Sequence, residues 1–95
     1  MLGGRKAIIV DFRDNVATAI ESLKAGDQIE TKRGKVILLN NIPYGHKFAV
    51  ANIPKGEYVV KYGAPIGRSV ESILAGTHVH VHNVTDPSDE IRKEA

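Results

Sequence analysis

The sequence contains no cysteine. Disulfides, thiolate metal sites and cysteine nucleophiles are therefore excluded. No run of about 18 apolar residues occurs, so nothing reads as a membrane-spanning helix. The start, Met1-Leu2-Gly3-Gly4-Arg5-Lys6, has no apolar signal core, which sets the expectation of a cytoplasmic protein. A surplus of one charge is also missing: 13 basic residues face 11 acidic ones, for a net charge of +2. That balance gives no reason to expect nucleic acid as a partner. Neither a GxGxxG fingerprint nor a GxxxxGKS/T loop is present, so no phosphate-binding loop is expected. The 95 residues point to one small domain.

What is present is a series of short apolar runs broken by turn residues. Lys6 to Phe12 reads as a first strand. Asp14 then suits a helix N-cap, Val16, Ile20 and Leu23 lie at helical spacing, and Gly26 suits the stop. After Gly26 the pattern turns to strands: Gln28 to Lys32, Lys35 to Leu39, His46 to Ala51, Glu57 to Tyr62 and His78 to Val84. Arg33-Gly34 reads as a hairpin turn, and Pro54-Lys55-Gly56 as a type I turn opened by Ile53. Val70 to Leu74 reads as one helical turn. No internal repeat is read. The expected fold is mostly β (α+β), a compact domain of short strands with one N-terminal helix over residues 1–84. Residues 85–95 read as a charged tail or linker.

Residues 76–84 carry the chemistry. His78, His80 and His82 alternate with Val79 and Val81. On an extended strand that alternation puts three imidazoles on one face and the valines on the other. Neighbouring rings would be about 6.5–7 Å apart, and the first and third about 13 Å apart. At most two of the three can then share one metal unless the strand bends. His46, after Gly45, is a source of a third ligand, and Glu57 of a carboxylate. Nitrogen and oxygen ligands suit Zn, Mn or Fe(II) without choosing among them. Proton transfer is an equally open role for these imidazoles. Lys47 and Lys61 are candidates for holding an anionic substrate. Ser69 and Ser72 lack a visible base and acid partner for a hydrolytic triad.

Four segments together resemble a known family: Ile42-Pro43-Tyr44-Gly45-His46-Lys47, Lys55 through Gly63, Pro65-Ile66-Gly67, and Gly76 through Val84. They are similar to the SAF domain of altronate and galactarate dehydratases and to the small alpha subunit of sulfolactate sulfo-lyase. The resemblance implies a β-clip-like fold. It implies a hydro-lyase that dehydrates a small anionic sugar acid such as altronate or galactarate, working with a large catalytic subunit and inactive without it. It also implies a divalent metal, Fe2+ or Mn2+, held mainly by that partner. On this likeness His78, His80 and His82 are the catalytic candidates, His46, Lys47 and Asn83 the substrate-binding ones, and His78 and His80 the metal ligands. The alternatives are a sulfolactate sulfo-lyase alpha subunit and a non-catalytic SAF binding or assembly module. Without its partner the chain is expected to self-associate through an exposed apolar face.

Overall fold

Four glycines set the frame of this fold. Gly26, Gly45, Gly56 and Gly76 have φ of +93°, +83°, +87° and +93°, a region open to glycine and costly for other residues. Each is the third residue of a turn closed by a backbone bond from the fourth residue to the first: Asp27 to Lys24, His46 to Pro43, Glu57 to Pro54 and Thr77 to Leu74, at 3.0–3.1 Å. Glycine at the third position is the type II pattern. The expected type I turn opened by Ile53 is therefore shifted by one residue, because Gly56 must sit where φ is positive.

The computed structural model describes residues 6–31 and 34–85. Its strands are β1 (Ala7–Ile8), β2 (Val16–Ala19), β3 (Gln28–Thr31), β4 (Gly34–Ile37), β5 (Lys47–Ala49), β6 (Tyr58–Lys61), β7 (Ala64–Arg68) and β8 (His78–Val79). β1, β2, β5 and β8 form an antiparallel sheet in that order, while β3–β4 and β6–β7 are separate hairpins. The proline and glycines of 63–67 do not prevent β7. A bulge between Val59 and Val60 lets Val60 pair with Pro65, and proline is tolerated at such a site. Arg33, half of the expected β3–β4 turn, lies outside the described residues.

The four turns reveal an internal duplication that residue identity hides. A buried Leu or Ile precedes each turn, and these pair as antiparallel bridges, Leu23 with Ile42 and Ile53 with Ile73. Leu23, the β3–β4 hairpin, Ile42 and β5 are followed in the same order by Ile53, the β6–β7 hairpin, Ile73 and β8. Hydrogen bonds repeat as well. Ala19 N donates to His46 O and Gly45 N to Ala19 O, and Ala49 N donates to Thr77 O and Gly76 N to Ala49 O. Each half has its own core. Leu23, Ile29, Ile42 and Phe48 sit in one, and Ile53, Val59, Ile73 and Val79 occupy the matching places in the other. Burial of each such side chain contributes about 1.5–3 kcal/mol. The repeat escapes the sequence because each copy needs only one apolar residue and one glycine, and the positions between them vary freely.

Among the described residues there is no helix, so the expected helix from Asp14 to Gly26 is absent. Val16–Ala19 is β2, flanked by β1 and β5, and three of its four residues are buried. A strand covered on both faces loses its alternation, and the apolar spacing then mimics a helix. Asp14 is a loop anchor instead of a helix cap. Its buried carboxylate accepts from the N–H groups of Val10, Asp11 and Gly63 at 3.2, 3.1 and 2.7 Å. Val70 to Leu74 is likewise no helical turn, since Ile73 is engaged in its bridge to Ile53. Of the expected tail, Thr85 belongs to the body: its hydroxyl accepts from Arg68 N and its N–H donates to Arg68 O. Residues 86–95 lie outside the described residues. Among those described, no helix is long and apolar enough to cross a membrane.

Candidate functional site

The site grows from the second and fourth turns. Gly45 delivers the chain to His46 just before β5, and Gly76 delivers it to His78 at the start of β8. β5 and β8 pair antiparallel, with Phe48 opposite His78 and Lys47 opposite Val79. One step further along that register sets His46 opposite His80, so both rings project on the same face of the sheet. The observed rings obey this: His46 and His80 stack with centroids 4.5 Å apart.

The histidine segment is not the long strand the alternation suggests. β8 ends at Val79, and Val81 to Asn83 form a turn. Val79 is fully buried whereas Val81 is 82% exposed, so the valines do not share a buried face. Asn83 makes the turn. Its Oδ1 accepts from His80 N at 3.0 Å, its Nδ2 donates to His78 O at 2.9 Å, and its own N–H donates to His80 O at 3.1 Å. Asparagine side chains commonly close turns on their own backbone in this way. The bend draws His82 back, so His78 and His82 rings are 5.4 Å apart instead of the roughly 13 Å of an extended strand.

All four imidazoles thus gather. His46 Nδ1 lies 2.9 Å from His78 Nε2, which requires one ring to donate and the other to accept. His46–His78 and His78–His80 centroids are 5.1 and 5.6 Å apart, with planes inclined by 22° and 13°. His46, His78 and His80 each present a ring nitrogen within 4.8 Å of the others, and all three are half-buried. His82 is exposed, at the rim. Burial lowers the pKa of His78, as do His46, His82, His80 and Lys47 around it. His80 is lowered by burial and by His46, Lys47 and His82. His78 and His80 are therefore biased toward the neutral imidazole, the form that can ligate a metal.

Lys47 enters the site through its charge. It is half-buried, and burial together with the charge of Lys61 lowers its pKa. Asn83 is fully buried beneath the site, with its amide engaged by backbone. Glu57 stands apart from the imidazoles, in a separate open depression with Arg13, Asn15 and Tyr58. One contributor had no sequence signal beyond its place in a loop: Asn40 Oδ1 accepts from His78 N at 2.9 Å and fixes the outer edge of β8.

Fold and site together define a small duplicated β domain that carries an imidazole cluster, a donor set suited to divalent metals and to proton transfer. A family model for the altronate/galactarate dehydratase SAF domain matches residues 5–87, and the chain belongs to that family. It is 46% identical over 77 residues to an altronate dehydratase of Escherichia coli, covering 80% of this chain and 16% of that protein. A (2R)-sulfolactate sulfo-lyase subunit alpha of Chromohalobacter salexigens is 56% identical over 86 residues, covering 81% of this chain and 89% of the relative. The galactarate dehydratase (L-threo-forming) of Escherichia coli is 34% identical over 82 residues, covering 84% of this chain and 15% of that enzyme. The chain thus spans about a sixth of the dehydratases it matches, and most of the sulfo-lyase subunit. By name these relatives are two dehydratases and a subunit of a sulfo-lyase.

Proposed function

We propose that this chain is the small, SAF-domain part of a hydro-lyase that dehydrates a sugar acid such as altronate or galactarate beside a separate large catalytic subunit. The observation that carries the reading is the convergence of four imidazoles from two turns of a lyase-family domain onto one face. In this reading the imidazole face forms one wall of the active site. The partner supplies the base that removes the proton next to the substrate carboxylate.

Hydroxide must leave as water and needs a proton, which an imidazole donates well near neutral pH. His82, at the rim, is the proposed donor. Lys47 attracts the substrate carboxylate. Asn83 positions the histidine turn rather than binding substrate. The three clustered nitrogens of His46, His78 and His80 suit Fe2+ or Mn2+. A metal there would stabilise the enolate charge that develops next to the carboxylate.

A second reading is favoured by one observation, the near-coextensive match to the sulfo-lyase alpha subunit. Sulfite leaves as a stable anion and needs no proton donor. The test is to mix the chain with the large subunit of each enzyme and assay altronate, galactarate and (2R)-sulfolactate. The dehydratase reading predicts turnover of a sugar acid only in the mixture, and loss of it in His82→Ala. Turnover of sulfolactate alone, insensitive to His82→Ala, selects the sulfo-lyase reading. No activity on any of the three with either subunit overturns both.

A further inference from the structure

The geometry points to a three-imidazole divalent metal site made by His46, His78 and His80 of this chain alone, with His82 outside the coordination. The inference deepens the lyase reading and rests on it only for which metal is relevant. It differs from a metal held mainly by the partner, and it assigns His46 to the ion rather than to substrate.

Two nitrogens on one ion, each bonded at about 2.0–2.1 Å, stand about 2.9–3.4 Å apart for angles between octahedral and tetrahedral. His46 Nδ1 and His78 Nε2 already stand at 2.9 Å. The third nitrogen lies within 4.8 Å of both, so a shift of about 1.5 Å completes a set with bonds of that length. The rings are now nearly parallel, at 13–22°, and must fan apart for their lone pairs to converge. Rotation about the terminal ring torsion, a broad and soft coordinate, supplies that movement.

The backbone beneath is fixed. Asn40 holds His78 N, Asn83 holds His78 O and His80 N, and Ala19 N holds His46 O. These bonds fix the backbone that carries the three rings. His82 has its ring contact with His78 and does not share in the three-nitrogen group. Three nitrogens from one side leave the outward side of the ion for oxygen ligands. The carboxylate and hydroxyl of a hydroxy acid match that need, since hard oxygen donors suit Mn2+ and Fe2+.

The metal-free 95-residue chain is titrated with Co2+ as a spectroscopic probe, and with Mn2+ and Zn2+ by calorimetry. One ion per chain is expected, with the Co2+ absorption of nitrogen ligation. His46→Ala, His78→Ala and His80→Ala should each weaken binding by about tenfold or more, since even an outer-shell partner is worth 10–100-fold. His82→Ala should bind as the unaltered chain does. His46→Gln, which keeps a hydrogen-bonding side chain, and the circular dichroism of every variant separate ligand loss from unfolding. No ion bound by the folded chain overturns the site. Retained affinity in folded His46→Ala and His46→Gln, or equal loss in His82→Ala, also overturns it. Metal binding without turnover beside any large subunit removes the lyase reading and leaves the site. Turnover without metal binding does the reverse.

Discussion

Two buried polar side chains hold the loops of this protein in place. Asn83 ties the histidine turn together from beneath, and Asp14 gathers the loop before β2 and the tip of the β6–β7 hairpin. Burial alone would raise the pKa of Asp14, but hydrogen bonds from the N–H groups of Gly63, Asp11, Tyr62 and Val10 outweigh it and hold the carboxyl below its usual range. A depressed folded-state pKa means stability that is fully present above the unfolded value, about 3.9. That stability is lost as pH falls through the lower folded value. Asp14→Asn should cost about 2–3 kcal/mol at pH 7, since hydrogen bonds to a charged acceptor are the stronger kind. Denaturant melts from pH 7 to pH 2 should show the gap between the two proteins closing only below about pH 4. Asp11, held down to about 2 by the side-chain hydrogen bond from exposed Arg13, titrates alike in both proteins. A gap that stays constant with pH would contradict the role given to the Asp14 charge. At this scale the histidines themselves were legible from their alternation. Their convergence was not, because it depends on Asn83 ending the strand rather than on the imidazoles themselves.

At the scale of elements, the four type II turns decide where the strands and bridges after them begin. Gly26 and Gly76 share a φ of +93° but not their surroundings. A Cβ on Gly26 meets nothing within 4 Å, while one on Gly76 collides with the carbonyl oxygen of Ile37. Gly26→Ala should therefore cost about 1 kcal/mol, from backbone strain alone. Gly76→Ala should cost several times more, with His78 displaced. Thermal melts of the two variants compare these costs directly, and equal shifts would contradict the packing argument. The β3–β4 hairpin, β5 and β6 were readable because alternation and turn residues agreed there, whereas Pro65 and the glycines of 63–67 hid β7. The misread helix came from a central strand buried on both sides, where small residues such as Ala17 and Ala19 hide the period. The duplication left almost no trace in residue identity because backbone geometry, not side-chain chemistry, is what repeats.

At the scale of the whole molecule, two matching halves carry different side chains at equivalent places. His46 in the first half corresponds to Thr77 in the second, and Lys47 corresponds to His78. The site thus occupies the seam where β5 of one half pairs with β8 of the other. Leu39, Tyr44, Leu74 and Val81, which flank the site's turns in sequence, are exposed. Family membership was legible from the four motifs, and the match over residues 5–87 carries it. The most direct measurement is kcat of the enzyme reconstituted from a large subunit and either the unaltered chain or His82→Ala, at saturating large subunit and with complex formation checked by gel filtration. If the imidazoles form a wall of the active site, kcat falls by about 100-fold or more, the usual worth of a positioned acid or base, while the complex still forms. A kcat within about twofold of the unaltered enzyme, in an intact complex, would contradict the account, because no side chain that donates protons in this way is so dispensable.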